Sequence, residues 1–439
     1  MKIYISIFLF LMSIHSSIAS ENFIPGPRDC FWLRGPFSSD PYINVAYPDA
    51  NVYYWAAVFS MPEGSSLELD GDYPYSRYMS FVSYNEDGKP IESLADYLIM
   101  SESTNPFIAG NERLNFERSY SIKILNKIPL SLRTAGEISS DISDNIIHAP
   151  QYLQNQQLIV YRVYLPDKNK EADGGVKLPQ PSLTLADGSK LYGKDACQSL
   201  KTNQRLQIAF DALGIKPEVY HDLITQSDKP DTWPAHNPTE WFIQLDRKSL
   251  IGMYTGDIDP DAPRSEGGFY PNLDNHYIRA IINRKHGKVL ILRGKAPTTP
   301  QTYNGGGVVE EGELRYWSLC SNQSFVNTRV NDCLFDEEIP IGKNGFYTIA
   351  ISREEDRPRN ANKECGIAWL PMADDGDGMY DEDVTIIQFR HMLSAKDFDH
   401  SIQRVMKQDQ LEDIMGPYLP KTRYLMTNQV ETFFPCLNN

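Results

Sequence analysis

The sequence predicts a mainly β fold of two tandem antiparallel β-sandwich, jelly-roll-like domains, with a partly helical connector and a C-terminal helix. The first observation behind this prediction is an internal duplication. Residues 47–74 align with residues 270–297 without a gap, and nine of the 28 positions are identical. Average composition would give roughly two identities in a window of this length. A repeat of this kind indicates two copies of one structural unit.

The second observation is that three shorter segments recur in the same order. They are rich in Tyr, Phe, Ile, Val and Thr, which favour strands. Tyr120–Ile124 also alternates polar and apolar residues, as expected for a strand with one buried face. The recurring pairs are Arg77–Ser80 with Arg315–Ser318, Ser119–Ile124 with Phe346–Ile351, and Ile159–Arg162 with Ile387–Arg390.

The third observation is the spacing of turns and helices. Asp87-Gly88 and Asn344-Gly345 are hairpin signals, and many short strands with regular turns are typical of sandwiches. Periodic apolar residues predict helices over Asp195–Leu213, Pro217–Ile224 and Ala395–Met415.

A chain of 439 residues exceeds what one hydrophobic core usually serves. The duplication divides it into five parts. These are a signal peptide (1–19), a first sandwich (20–166), a partly helical connector (167–269), a second sandwich (270–394) and a C-terminal helix and tail (395–439).

The start of the chain predicts export. Lys2 precedes an apolar run, Ile3–Ile14, and small residues follow up to Ala19. This is the pattern of a secretory signal peptide. No other apolar run is long enough to cross a membrane. The expected location is therefore periplasmic or extracellular.

The cysteines support the same location, because an even number in an exported chain suggests disulfides. Six are present, and six allow fifteen pairings. Cys320 and Cys333 flank a polar loop between two strand-like runs, so we predict that they pair; the other pairings stay open. No CxxC or Cys/His cluster with zinc spacing occurs.

The net charge of −16 argues against nucleic acid and anionic membrane surfaces as partners. The chain also lacks a GxSxG elbow, an HExxH motif, a P-loop and a GxGxxG motif. No cofactor is expected, with calcium as the one candidate. Asp257, Asp259 and Asp261 alternate as calcium ligands do, but the Gly and Glu of a complete calcium loop are missing. A solvated acidic loop is the alternative interpretation.

Differences between the copies suggest a ligand site in the second one. Arg77 and Arg162 recur as Arg315 and Arg390, which favours a structural role for these arginines. His276 and His391, in contrast, replace Tyr53 and Val163 of the first copy. The second copy also has the long insertion Thr298–Glu313 and the acidic loop Asp374–Asp383. We therefore predict ligand-binding roles for His391, Arg390 and His276. Arg390 and His391 point to opposite faces of a strand, so at most one of them can face a pocket.

Four segments resemble an uncharacterised family of exported bacterial proteins with tandem β-sandwich domains of unknown function. They are Tyr73–Phe81, Leu158–Pro166, Tyr316–Ser318 and Gly366–Pro371. The resemblance implies the fold and the exported location, and it carries over no catalytic residue.

These observations favour a secreted binding or interaction protein whose ligand is a polar small molecule or a glycan. Aromatic residues such as Tyr54, Trp55 and Trp233 could stack on sugar rings. The alternatives are a secreted hydrolase with its site on the second sandwich and a structural envelope-associated protein. Whether the protein is an enzyme is left open.

Overall fold

A computed structural model describes residues 26–40, 44–101, 103–129, 145–153, 155–206, 214–244, 247–259, 261 and 270–436. The predicted signal peptide lies outside these residues. Within them, the chain forms nineteen strands. The strands are β1 Arg34–Phe37, β2 Val52–Phe59, β3 Ser66–Asp72, β4 Ser76–Tyr84, β5 Pro90–Ala95, β6 Ser119–Leu125, β7 Ile146–His148, β8 Gln157–Pro166, β9 Gln180–Thr184, β10 Lys190–Tyr192, β11 Phe242–Ile243, β12 Asn275–Asn283, β13 Val289–Lys295, β14 Leu314–Asn322, β15 Val330–Phe335, β16 Phe346–Ser352, β17 Ala368–Pro371, β18 Val384–Ser394 and β19 Lys421–Leu425.

The strands form four sheets with a repeated topology. In the first copy, a central sheet has the order β1-β2-β8-β4-β5 and an outer sheet the order β10-β9-β3-β6-β7. In the second copy, the central sheet has the order β11-β12-β18-β14-β15 and the outer sheet the order β17-β16-β13-β19. Each copy contains one parallel pair at the same place, β6–β7 and β16–β17. The prediction of a mainly β fold built as a duplicated sandwich is confirmed.

Two of the repeated residue types have a direct packing reason. A Cβ atom at Gly71 would lie 2.8 Å from the Tyr120 hydroxyl, and one at Gly294 would lie 2.7 Å from the Tyr347 hydroxyl. Each tyrosine therefore requires a glycine on the neighbouring strand of its outer sheet. This requirement explains why the glycine and the tyrosine recur together in both copies.

The central sheets are buried on both faces. Every residue of β4 is buried, as is every residue of β18. One face of each central sheet packs on its own outer sheet, and the other face packs on the opposite copy or on the connector. The outer strand β6 instead alternates exposed and buried residues, as the sequence pattern predicts.

Helices are short in the part of the chain that the structure describes. The predicted helix at Pro217–Ile224 is present with those bounds. The α-helices are α1 Gly193–Ser199, α2 Pro217–Ile224, α3 Arg247–Thr255, α4 Leu411–Met415 and α5 Thr427–Phe433. The 3₁₀-helices are Asp96–Leu98, Arg284–His286, Asp336–Glu338, Glu354–Asp356, Lys363–Cys365, Ile402–Arg404, Gln408–Gln410 and Gly416–Tyr418.

Two predicted helices differ from the structure. The helix expected over 195–213 ends early, because Lys201 adopts a left-handed conformation with φ of +53°; residues 207–213 lie outside the described part. The helix expected over 395–415 is divided into 3₁₀ turns and α4. There the Ile402 N–H donates to His391 Nδ1 over 3.2 Å rather than to a helical carbonyl. Ile402, Val405 and Leu411 of this segment still pack in the second core, whereas Met406 is exposed.

The sheets also extend past the predicted domain bounds. Strands β9 and β10 belong to the first outer sheet, although the sequence places them in the connector. Strand β11 pairs with β12, and β19 pairs with β13. The segments leading into β9 and β19 differ in length, so these strands leave no aligned repeat in the sequence.

Three disulfides are present, and each joins two cysteines of the same copy rather than linking the two copies. They join Cys30 to Cys197, Cys320 to Cys333 and Cys365 to Cys436. Disulfides are typical of oxidising compartments, which is compatible with a periplasmic or secreted protein. Among the described residues, no helix has the length and apolar character needed to span a bilayer.

The copies meet in a reciprocal interface. Arg77 of the first copy pairs with Asp336 of the second at 2.7 Å, while the equivalent Arg315 of the second lies 3.7 Å from Asp96 of the first. Both aspartates begin a 3₁₀-helix that follows an equivalent strand, β5 or β15. Such exchange of equivalent contacts is the signature of a two-fold interface.

The insertion Thr298–Glu313 of the second copy also crosses to the first copy. Arg113 of the first copy donates from Nε to the Gly306 carbonyl over 2.9 Å and from Nη2 to the Thr302 carbonyl over 2.9 Å. The Lys168 N–H donates to the Tyr303 carbonyl over 2.8 Å. The loop that the sequence suggested as a ligand loop therefore holds the two copies together.

Candidate ligand-binding cavity

A cavity of about 380 Å³ lies between the two copies. Its floor is the face of the first central sheet that points away from the sandwich core, and the second copy contributes Tyr270, Asn272, Tyr277 and Arg390. The described residues that line it are Arg28, Leu33, Arg34, Phe37, Val45, Ala46, Tyr47, Pro48, Tyr54, Ala56, Leu158, Val160, Arg162, Tyr164, Leu206, Tyr270, Asn272, Tyr277 and Arg390.

The alternation of strand β8 places its cavity-lining residues. Leu158, Val160, Arg162 and Tyr164 share one face, because successive side chains on a strand point to opposite faces. The intervening residues enter the core of the first sandwich. Residues that lie directly opposite each other on neighbouring strands also share a face. Arg34 lies opposite Ala56 in the β1–β2 pair and therefore shares its face.

Among the charged residues of the first copy that line the cavity, Arg162 is the most deeply buried, with 2% of its surface exposed. Its Nη2 donates to the Tyr84 hydroxyl over 2.5 Å and to the Tyr270 carbonyl over 2.8 Å. Its Nη1 has no hydrogen-bond partner among the described residues. Burial lowers the pKa of Arg162, but the nearby Tyr84, Tyr164 and Tyr54 raise it above its ordinary value. The group is therefore charged, and its polar contacts are neutral.

Arg390 lies on the opposite side of the cavity and is ion-paired. Its Nη1 contacts the Asp49 carboxylate and donates to Ser318 Oγ over 2.9 Å. The same carboxylate accepts from the hydroxyls of Tyr316 (3.0 Å) and Ser318 (2.7 Å). Burial lowers the pKa of Arg390, whereas Asp49 and nearby tyrosines raise it well above its ordinary value. This pair joins the copies and neutralises itself.

Arg34 and Arg28 add positive charge to the first copy's side. Arg34 is half-buried and donates from Nη2 to the Gln204 carbonyl over 2.5 Å. Burial lowers its pKa. Arg28 is exposed. The described lining residues thus include four arginines and no Asp or Glu, in a chain whose net charge is −16.

Of the three residues predicted to bind ligand, Arg390 lines this cavity and the two histidines lie elsewhere. His391 is fully buried in the core of the second sandwich. Burial lowers its pKa to about 3, so the ring is neutral at physiological pH. His276 lies directly opposite His391 in the β12–β18 register. The structure therefore brings the two histidines together, on the opposite face of the sheet from Arg390.

Two of the three aspartates predicted to bind calcium, Asp259 and Asp261, have local partners. Asp261 forms an exposed ion pair with Lys407 at 2.8 Å, and Asp259 accepts from the Asp261 N–H over 2.9 Å. A calcium ion would have to displace Lys407. Among the described residues, the one cluster with metal-ligand spacing is Asp49 with Cys320 and Cys333, whose sulfurs are joined in a disulfide. The calcium site stays a prediction.

The acidic loop Asp374–Asp383 is organised by one of its own carboxylates. Asp377 is buried and accepts from the N–H groups of Met379, Tyr380 and Asp381. Its second oxygen accepts from the Tyr220 hydroxyl over 2.9 Å. This loop thus anchors α2 on the second copy.

Sequence reasoning did not single out Arg34 or Arg162 as cavity-lining residues. Arg34 lies upstream of the aligned repeat, so no comparison drew notice to it. Arg162 was interpreted as structural because the second copy has an arginine at the same position. The signal that distinguishes the two arginines is their partner, since Arg390 has a carboxylate and Arg162 has tyrosines.

The equivalent surface of the second copy is filled by the connector. Tyr220 of α2 and Met253 and Tyr254 of α3 pack against Phe242, Ile281 and Ile386. Phe242 lies opposite Arg279 in the β11–β12 register, where the first copy has Arg34 opposite Ala56. The first copy keeps an open cavity where the second has a packed core.

Comparison with known proteins finds no family model and no curated protein that matches. Among solved structures, the chain is similar to an uncharacterized protein from Burkholderia cenocepacia, at 9% identity, covering 88% of this chain and 79% of that chain with a TM-score of 0.45. It is also similar to the VPA0106 protein from Vibrio parahaemolyticus, at 9% identity, covering 86% of this chain and 90% of that chain with a TM-score of 0.37.

Proposed function

We propose that this chain is a binding protein that holds a small organic molecule in the cavity between its two copies. The observation that carries the proposal is the cavity itself, with its volume of about 380 Å³ and mostly apolar walls. Small-molecule sites typically enclose roughly 300–1,000 Å³ and combine apolar walls with a few polar groups.

The walls favour binding because they are preformed. Phe37, Tyr54, Ala56, Leu158 and Val160 lie on hydrogen-bonded strands of one sheet. A ligand that enters such a site orders few side chains, so less of its interaction energy is lost to conformational entropy. The lining supplies apolar surface, tyrosine hydroxyls and guanidinium groups, which hold and orient a ligand.

The location we propose is outside the cytoplasm. The three disulfides support it, as does the predicted signal peptide at 1–19. A binding protein in the periplasm or outside the cell would meet its ligand there, and disulfides would keep the two copies intact.

The test is a ligand screen followed by a cavity-filling variant. Small acids, alcohols, amines and short glycans are screened by thermal shift, because a bound ligand raises the melting temperature. Ala56 lines the cavity and is 5% exposed, so Ala56→Phe is expected to abolish the shift of each true cavity ligand. The matched control is Val219→Phe on exposed α2, where the wild-type side chain is 42% exposed. A screen without hits, or hits that bind Ala56→Phe as well as wild type, would refute the proposal.

A further inference from the structure

We infer that the cavity selects an organic anion with an apolar body, of the carboxylate class, and that Arg162 and Arg34 provide this selectivity. The inference rests on the proposed function, since it names the chemical class of ligand for the same cavity. It is carried by the distribution of charge over the cavity walls.

Among the residues that the structure describes, no carboxylate compensates the charge on the first copy's side of the cavity. Arg162 is charged, 2% exposed and bonded to a phenol and a carbonyl. Arg34 is bonded to a carbonyl. Burying a cation without an anion is unfavourable. An arginine cannot relieve this cost by losing its proton, so a ligand carboxylate would supply the missing counter-charge.

The positions of the two arginines suit one carboxylate. Arg34 lies on β1 opposite Ala56, Ala56 lies opposite Val160 on β8, and Arg162 follows two residues later. Strands are spaced by about 4.8 Å, so the two arginines start roughly 12 Å apart on one face. Two extended arginine side chains can span this distance from both sides. Guanidinium groups also match carboxylates with paired, charge-assisted hydrogen bonds.

The remaining walls specify the rest of the ligand. Leu33, Phe37, Leu158, Val160 and Leu206 surround the cavity with apolar surface. A sugar would leave its hydroxyls facing this surface without partners, which is costly. A chain or ring of carbon atoms would fill it favourably. We therefore expect an aliphatic or aromatic acid rather than a glycan.

Arg279 provides an internal comparison. It is also buried and also bonded to a neutral group, with Nε donating to Gln388 Oε1 over 2.6 Å. Its guanidinium lies 5.4 Å from the Tyr47 ring centre and 5.5 Å from that of Phe325. Burial lowers its pKa to about 10. The connector fills the space around Arg279, whereas the space beside Arg162 is open.

The experiment compares three probes of equal chain length: octanoate, octanamide and octylammonium. Affinities are measured by calorimetry for the wild type and for Arg162→Met, Arg34→Met and Arg279→Met. The wild type is expected to prefer octanoate to octanamide by about tenfold or more, since charge-assisted hydrogen bonds exceed neutral ones by that margin. Octylammonium is expected not to bind.

The ratio of octanoate to octanamide affinity is the readout, because a general folding defect lowers both affinities together. Arg162→Met is expected to bring the ratio close to one, Arg34→Met to lower it several-fold, and Arg279→Met to leave it unchanged. A wild-type ratio near one, or a ratio that survives Arg162→Met, overturns the inference. If neutral hits are lost in Ala56→Phe while the ratio is near one, the binding function stands and the anion selectivity fails. If no probe and no screened compound binds, both fail.

Discussion

His391 is expected to make the protein less stable as the pH falls from 8 to 5. The ring lies fully buried beside Phe389, with a ring-centre distance of 5.0 Å. Nδ1 accepts from the Ile402 N–H over 3.2 Å, and Nε2 has no hydrogen-bond partner in the part of the chain that the structure describes. A proton on this ring would be a buried charge without a counter-ion, which explains why burial lowers the pKa to about 3.

The size and sign of the effect follow from proton linkage. The pKa of His391 is about 3 in the folded state and about 6.5 in the unfolded state. Between these values, the unfolded chain binds a proton that the folded chain does not. The free energy of unfolding therefore falls as the pH drops below 6.5, and the loss at pH 5 is about 2 kcal/mol.

The assay is urea denaturation at pH 8 and pH 5 for the wild type and His391→Val, the residue type that the first copy has at Val163. Because other groups also titrate, the relevant quantity is the difference between the two proteins in their change with pH. His391→Val is expected to lose about 2 kcal/mol less than the wild type on acidification. The control is His221→Val, since the His221 side chain is 51% exposed and lies outside the core of the second sandwich. An acid dependence that is equal in wild type and His391→Val would refute the reasoning.

Three further predictions concern stability. Burial raises the pKa of Asp96 to about 7, so the protonated side chain stabilises the fold at low pH and this stabilisation is lost as the pH rises. In urea titrations, the free energy of unfolding of Asp96→Asn should therefore fall by about 2.5 kcal/mol less than that of the wild type between pH 5 and pH 8. Arg77→Met removes the partner of two buried carboxylates and should lower the free energy of unfolding by roughly 3–5 kcal/mol. Arg359→Met breaks an exposed pair and should have a much smaller effect; equal effects would show that burial of the pair is unimportant. If Asp257, Asp259 and Asp261 bind calcium as the sequence predicts, millimolar calcium should raise the melting temperature and a chelator should reverse the rise. A melting temperature that calcium does not change would exclude this site.

Much of the fold could be predicted from the sequence, because the two copies repeat the same packing contacts. Gly71 and Tyr120 constrain each other by contact, and the second copy repeats the pair. The pairing of β9 with β3 and of β19 with β13 could not be predicted, since the segments before β9 and β19 differ in length between the copies. Helix prediction over 395–415 failed because apolar spacing does not reveal that His391 takes the N–H of Ile402.

The candidate site was accessible only in part. Arg390 was singled out, but the sequence could not show that its partner would be Asp49, 341 positions away. The cavity is open because the connector packs on the second central sheet and not on the first. The sequence does not show which of the two sheets the connector covers, because tertiary packing decides it. A residue type shared by both copies can also have different partners in each, since Arg162 contacts Tyr84 whereas Arg390 contacts Asp49.

The reciprocal contacts across the copies have a consequence for stoichiometry. In a dimer of identical subunits, symmetry gives both subunits the same groove, so any change in one groove appears in the other. Joining the copies in one chain removes this restriction while keeping the equivalent ion pairs of Arg77 and Arg315. One groove could then become a packed core around Tyr254 while the other stayed open. The binding function that we propose therefore implies one ligand per chain, although the architecture has two equivalent halves.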